Sequence, residues 1–183
     1  MQLRKLHPRL CPRQVLGVRM GLEAGVLLGL ELPRTDRRIV ALVETDGCFA
    51  DGVSVATGCW IGRRTLRLVD YGKVATTIVD VLNGRAFRLW PTPDARLLAR
   101  AYASDAASRW HAQLAGYQRM PVDELLRMQQ VALEVPPSML VGCPGREICT
   151  DCGEEILNQR GVAHRGGTRC RGCAASGRYY RII

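Results

Sequence analysis

Two Cys-x-x-Cys pairs in the last third of the chain constrain its folding more than any other feature. They are Cys149 with Cys152 and Cys170 with Cys173, in the run CTDCGEEILNQRGVAHRGGTRCRGC, and 17 residues separate them. Thiolates are soft ligands, and four of them at this spacing match the closed tetrahedral geometry of a structural zinc site. Gly153 and Gly172 let the backbone fold round each knuckle. Two alternatives stand beside zinc: a redox dithiol, which needs one pair rather than two, and an iron–sulfur centre, which also takes four cysteines. His164 lies between the knuckles and is read as a loop histidine, because four thiolates already complete the set. A lobe of about thirty residues is of the size at which a metal supplies the folding free energy.

The chain holds eight cysteines in 183 residues. No apolar run approaches the ~20 residues of a membrane span. The opening MQLRKLHPRLCP has charges but no apolar core or small-residue cleavage site, so no signal peptide is expected. The expected protein is cytoplasmic, and eight cysteines there point to metal or redox chemistry rather than a disulfide framework. Net charge is +9, and of the 26 basic residues all but Lys5 and Lys73 are arginine. Such a balance admits nucleic-acid binding. The arginines are scattered, however, and charge alone is weak ground, so nucleic acid is not the expected partner.

The rest of the sequence reads as an α+β domain. Pro12 suits a first helical turn, and apolar residues recur from there to Leu30. Gly17, Gly21, Gly25 and Gly29 fall on one face of that helix and would admit a second backbone, in tight helix packing or a dimer. Residues 38–44 read as a buried strand, and 52–59 as a short helix. Strands are expected at 65–71, 74–82 and 86–90, with Asn83-Gly84 as a hairpin turn. A helix is expected over 94–117, a shorter one over 121–128, and a last strand over 130–135. Prolines and glycines then form a linker. The expected architecture is helix, strand, helix and three strands in a mixed, mainly antiparallel sheet, with a core domain over 1–142 and a zinc-finger lobe over 143–183.

The core has its own cluster of candidate ligands: His7, Cys11, Cys48 and Cys59, with Asp46 and Asp51 nearby. His7 and Cys11 lie just before a helix, whose positive end attracts a thiolate. Cys48 and Cys59 flank the short helical stretch. An imidazole and thiolates suit zinc or another soft divalent ion, so a second metal in the core is one reading. The other is that these cysteines are small buried hydrophobes. Cys143 reads as a linker thiol.

Two resemblances carry these motifs further. Residues 149–173 resemble the four-cysteine finger of the DksA/TraR type, without the coiled coil on which that finger sits. Residues 7–135 resemble the FmdE-like family, named for a component of formylmethanofuran dehydrogenase, whose motifs are HGHxCPG, CxxDAIQxxTGCxxG and a DYGK segment. His7, Cys11 and Pro12 match the first. Cys48, Asp51, Thr57, Gly58, Cys59 and Gly62 match the second, and Asp70, Tyr71, Gly72 and Lys73 the third. Arg9 replaces the second histidine, Pro8 and Arg13 replace glycines, and Ser54 replaces the glutamine.

The FmdE resemblance implies an α-β-α-β-β-β core, often with a C-terminal zinc finger. It also implies an accessory or redox-linked role beside a molybdenum or tungsten oxidoreductase. His7, Cys11 and Cys59 would form the pocket, supported by Cys48 and Asp51, and Arg9, Arg13 and Lys73 would hold an anionic ligand nearby. Expected partners are a second copy, as a homodimer, and the other components of such an oxidoreductase complex. The other reading is a zinc-finger interaction or regulatory protein that binds a protein complex or nucleic acid.

Overall fold

A computed structural model describes residues 9–135, 140, 145–175 and 180. The chain divides into two compact units, Met1–Val141 and Gly142–Ile183. Cys11 opens the first unit's long helix α1, Pro12–Leu28, from an extended N-cap conformation. The Gln14 side chain reaches back and its Oε1 accepts the Cys11 backbone N–H at 2.8 Å. Pro12 in the first turn has no N–H to leave unsatisfied. At the other end Gly29 takes a left-handed conformation (φ 68°), and the Leu30 N–H bonds back to the Gly25 carbonyl at 2.9 Å. That cap stops the helix two residues before its expected end.

Strand β1, Ile39–Val43, leads to helix α2, Cys48–Thr57. The helix starts four residues before the expected position. Gly47 (φ 74°) turns the chain into it without a capping side chain, so the usual start signal is missing. The glycine face of α1 lies against α2. A Cβ on Gly17 would collide with the Phe49 carbonyl oxygen, and one on Gly21 would stand 2.6 Å from the Ala56 Cβ. The face foreseen as a contact for a second backbone is therefore used inside the chain.

Strands β2 (Leu66–Leu68), β3 (Thr76–Asp80), β4 (Ala86–Pro91) and β5 (Leu126–Val131) complete a sheet of order β2-β1-β3-β4-β5. Only the β1–β2 pairing is parallel, with Ala41 opposite Leu66. The other three pairings are antiparallel, so the sheet is mixed and mainly antiparallel as expected. Alternation divides the side chains. Ile39, Ala41 and Val43 join the cluster beneath α1 and α2, while Val40 packs with Val79, Ala86 and Leu140 in a second cluster.

Further expected elements differ. The strand over 65–71 ends at Leu68, because Asp70–Lys73 turns: Gly72 is left-handed (φ 64°) and its N–H donates to the Asp70 carboxylate at 3.0 Å. The single helix over 94–117 is two, α3 (Ala95–Leu98) and α4 (Arg109–Arg119). Ser108 caps α4 by accepting the His111 N–H, and a Cβ on Gly116 would collide with the Ala99 carbonyl, so α4 folds back onto the segment that follows α3. After a single turn of helix, α5 (Val122–Leu125), the last strand begins at Leu126 instead of 130. Pairing with β4, with Trp90 opposite Arg127, outweighs the local helical pattern.

The second unit is built on two hairpins. Strands β6 (Arg146–Ile148) and β7 (Glu155–Leu157) flank the first cysteine pair. Strands β8 (Val162–His164) and β9 (Gly167–Arg169) lead into the second pair, where Cys170 caps the single-turn helix α6, Arg171–Ala174. Among the described residues no helix is long and apolar enough to cross a membrane.

Candidate functional site

In the second unit Cys149, Cys152, Cys170 and Cys173 place their sulfur atoms within 4.8 Å of one another. A tetrahedral ion with bonds of about 2.3 Å sets sulfurs about 3.8 Å apart, so this donor set fits a metal ion after a small contraction. Cys152 and Cys170 already stand at 4.0 Å. Backbone N–H groups point at the sulfurs, with Cys170 donating to Cys149 at 3.2 Å and Cys173 donating to Cys170 at 3.3 Å. At Cys149 the backbone N–H of Cys170, and after it that of Cys152, lower the pKa to about 6. Cys152 shows the opposite effect. The Glu154 N–H favours its thiolate, but the hydrogen bond to Cys149, burial and the other two cysteines outweigh it and push the pKa up to about 12. Four thiols crowded together cannot all ionise without a cation among them. His164 is exposed at the end of β8, with Nδ1 2.9 Å from the Arg165 carbonyl oxygen, and takes no part in the cluster.

In the first unit the close crossing of α1 and α2 sets their N-terminal ends together. Cys11 is the N-cap of α1 and Cys48 is the first residue of α2. Both line a cavity of about 630 Å³, with Leu16, Thr92 and Pro91 from the elements around it and Arg13, Arg96, Trp110 and Tyr117 among the rest of the wall. Burial first, then the hydrogen bond and charge of Cys11, and then the Asp51 charge push the Cys48 pKa up. Cys48 therefore holds its proton more tightly than an ordinary thiol. Gln14 is fully buried beside Cys11. Its Oε1 is engaged, but its Nε2 has no partner.

The other foreseen residues are placed as follows. Cys59 is buried in the core, where its thiol donates to the Ile39 carbonyl at 3.5 Å and burial raises its pKa. It is not on the cavity wall, so the structure pairs Cys11 with Cys48 and not with Cys59. Asp51 lies near Cys48 but lines a second cavity of about 310 Å³, with Asp46, Ser54 and Trp60. Lys73 sits over the Tyr71 ring, 5.8 Å from its centroid, and is not among the residues of the first cavity's wall, although Val74 beside it is. Arg13 is on the wall of that cavity. His7 and Cys143 lie outside the described residues. Among the described residues, only the four finger cysteines bring three or more metal-ligating side chains together. Arg96, Trp110 and Tyr117 were not foreseen. They come from segments some 50 to 100 residues beyond the cysteines, and no local motif marks them.

Known proteins resemble this chain in both sequence and fold. The sequence model of the FmdE family, described as "FmdE, Molybdenum formylmethanofuran dehydrogenase operon", matches residues 6–133. A probable S-adenosyl-L-methionine-binding protein of Archaeoglobus fulgidus is 38% identical over 93 residues, covering 49% of this chain and 25% of that protein. The chain thus spans about a quarter of the length of that curated relative. The fold is similar to the crystal structure of a tungsten formylmethanofuran dehydrogenase FmdE-like protein from Syntrophus aciditrophicus. The TM-score is 0.60 at 18% identity, over 98% of this chain and 91% of that one.

Proposed function

The chain belongs to the FmdE family, and from that premise we propose that it is a thiol-bearing accessory component of formylmethanofuran dehydrogenase-type oxidoreductases. The observation that carries this reading is the Cys11–Cys48 pair on the wall of the 630 Å³ cavity. Two adjacent thiols, one held protonated, can cycle between dithiol and disulfide or supply two ligands to a soft metal. His7, four residues before Cys11, is the residue best placed in sequence to add a third ligand.

In this reading the four-cysteine cluster holds zinc, and its task is structural. Four thiolates close the coordination sphere and leave no position for a substrate. The finger's ion supplies folding free energy to its lobe, and the chemistry stays in the core.

Metal analysis and alkylation test the proposal together. Purified protein is expected to carry zinc that is lost when Cys149 and Cys170 are changed to serine. Cys11 is expected to be alkylated by iodoacetamide in the native state. A native Cys11 that resists alkylation and binds no metal would overturn the core reading. The accessory role predicts co-purification of the tagged chain with components of a molybdenum or tungsten oxidoreductase from its host. The expected homodimer belongs to the same proposal, through a surface other than the glycine face, and light scattering reads it.

A second reading, a finger that docks a protein partner, rests on the exposure of Ile148, Leu157 and Val162 in the second unit. Under that reading, changing these three side chains to serine would abolish complex formation and leave Cys11 reactivity unchanged.

A further inference from the structure

The wall of the first cavity carries two guanidinium groups and, among its described residues, no carboxylate. Arg13 lies in the first turn of α1 and is exposed. Arg96, in α3, is exposed as well, and its guanidinium lies against the Tyr117 hydroxyl. Neither arginine forms an ion pair among the described residues. The opposite case appears elsewhere in the same unit, where Arg38 and Arg88 are each held by a carboxylate. The cavity thus gathers two cations and no counter-ion on one concave wall.

The other wall residues complete the picture. Leu16 and Tyr117 are buried at the cavity, and Pro91 and Trp110 add apolar surface. The 17-residue α1 opens at the same wall and adds the positive end of its dipole. A volume of about 630 Å³ lies within the range of small-molecule sites, about 300–1,000 Å³. Two guanidiniums facing one concave, partly apolar space repel each other and raise the local potential, and an anion relieves both effects. Guanidinium also binds carboxylate and phosphate through paired N–H donors.

We propose that this cavity binds a small organic anion. Its carboxylate or phosphate lies between Arg13 and Arg96, and its apolar body rests on Leu16, Pro91 and Trp110. The inference deepens the reading of this cavity as the working site, since the bound ligand would face Cys11 and Cys48 on the same wall. It assigns the substrate class of the thiol pair: an anionic molecule rather than a neutral or cationic one.

Calorimetric titration of the full-length, zinc-loaded protein tests this without using the thiols. Phenyl phosphate and benzoate are the two anionic probes, and benzyl alcohol is the neutral control. At least one anion is expected to bind more tightly than benzyl alcohol and to weaken as salt rises. Whichever binds identifies the source of the charge as phosphate or carboxylate. In the doubly substituted Arg13→Gln, Arg96→Gln protein, its affinity is expected to fall by about tenfold or more. The Arg100→Gln protein, which removes an exposed guanidinium that is not on the cavity wall, is expected to retain that affinity. The proposal is overturned if neither anion binds better than benzyl alcohol, or if the double variant, with an unchanged thermal melt, binds as the parent does. Failure here leaves native alkylation of Cys11 untouched, so the two readings fail separately.

Discussion

Gly52 lies directly against Gln14: a Cβ on Gly52 would collide with the Gln14 carbonyl oxygen. This contact lets α1 and α2 cross at backbone distance, and it lies one turn from both Cys11 and Cys48. The Gly52→Ala substitution must push the helices apart, and overpacking of this kind costs about 1–3 kcal/mol. A fall in Tm of about 3–10 °C is expected for a unit of this size. The cavity thiols should separate as well, so the Cys48 pKa should move down towards that of an isolated thiol. Gly62→Ala is the control, since a Cβ there meets nothing within 4 Å. Equal melts for the two variants would show that the crossing is looser than described.

Arg38 clamps Asp80 at the end of β3, with Nε 3.2 Å from Oδ1 and Nη2 2.9 Å from Oδ2. The Asp80 side chain has no exposed surface and also accepts the Leu82 N–H at 3.1 Å, which fixes the turn into β4. The Arg38 hydrogen bond, followed in order by the opposing effect of burial and the supporting Leu82 N–H, holds the Asp80 pKa below its ordinary value. A depressed folded-state pKa stabilises the fold above the unfolded value of about 3.9. That contribution is lost as pH falls through the lower, folded value. Urea midpoints taken from pH 6 down to pH 2 should therefore drop more steeply below about pH 4 in the parent than in Asp80→Asn. At neutral pH the variant should be less stable by about 1–3 kcal/mol, because it leaves Arg38 facing a neutral amide.

Much of this architecture was legible in the sequence because local rules governed it. The Cys149–Cys173 spacing, the β1 run of β-branched residues and the Asn83-Gly84 turn each state their structure within a few residues. Gly84 takes φ 74° in that turn, and the Arg85 N–H bonds to the Asn83 side chain. Where tertiary contacts decided, the sequence was less informative. The α4 break depends on Gly116 meeting Ala99, and β5 begins at Leu126 because β4 is there to pair with it. The site shows the same division. Cys11 and Cys48 sit in recognisable motifs, while Cys59, in the same motif as Cys48, points into the core on the far side of a helix of ten residues. Arg96 and Trp110 reach the cavity only through the fold-back of α3 and α4, a relationship no residue spacing encodes.

Removing metal should separate the two units. The second unit has few buried apolar side chains among its described residues, chiefly Cys149 and Ile156, and a lobe of that kind depends on its ion. A chelator strong enough to strip an ion from four thiolates should abolish amide-exchange protection over β6–β9. Protection over β1, β3 and β4 should persist, because their side chains belong to a core that contains no ligand of that cluster. Collapse of protection in both units at the same chelator concentration would contradict this independence.

The Cys11–Cys48 pair makes the most direct prediction about the core chemistry. Cys48 is raised above an ordinary thiol by burial first, and then by the hydrogen bond and charge of Cys11 and the charge of Asp51. Replacing Cys11 with alanine removes the second and third causes but not the first. The Cys48 pKa should fall yet stay above that of a free thiol, so the Cys48 thiolate fraction at pH 8.5 rises. Alkylation of Cys48 by iodoacetamide at that pH, followed by peptide mass mapping, should therefore be several-fold faster in Cys11→Ala than in the parent. Asp51→Asn should act in the same direction and more weakly, since its charge is the smallest of the influences that raise the value. Cys59 provides the internal reference. Its pKa is raised by burial alone against favourable hydrogen bonds from Thr57 and Thr65, so neither substitution should change its rate. An unchanged Cys48 rate in Cys11→Ala would mean that Cys11 does not influence Cys48, and the dithiol would lose its chemical basis.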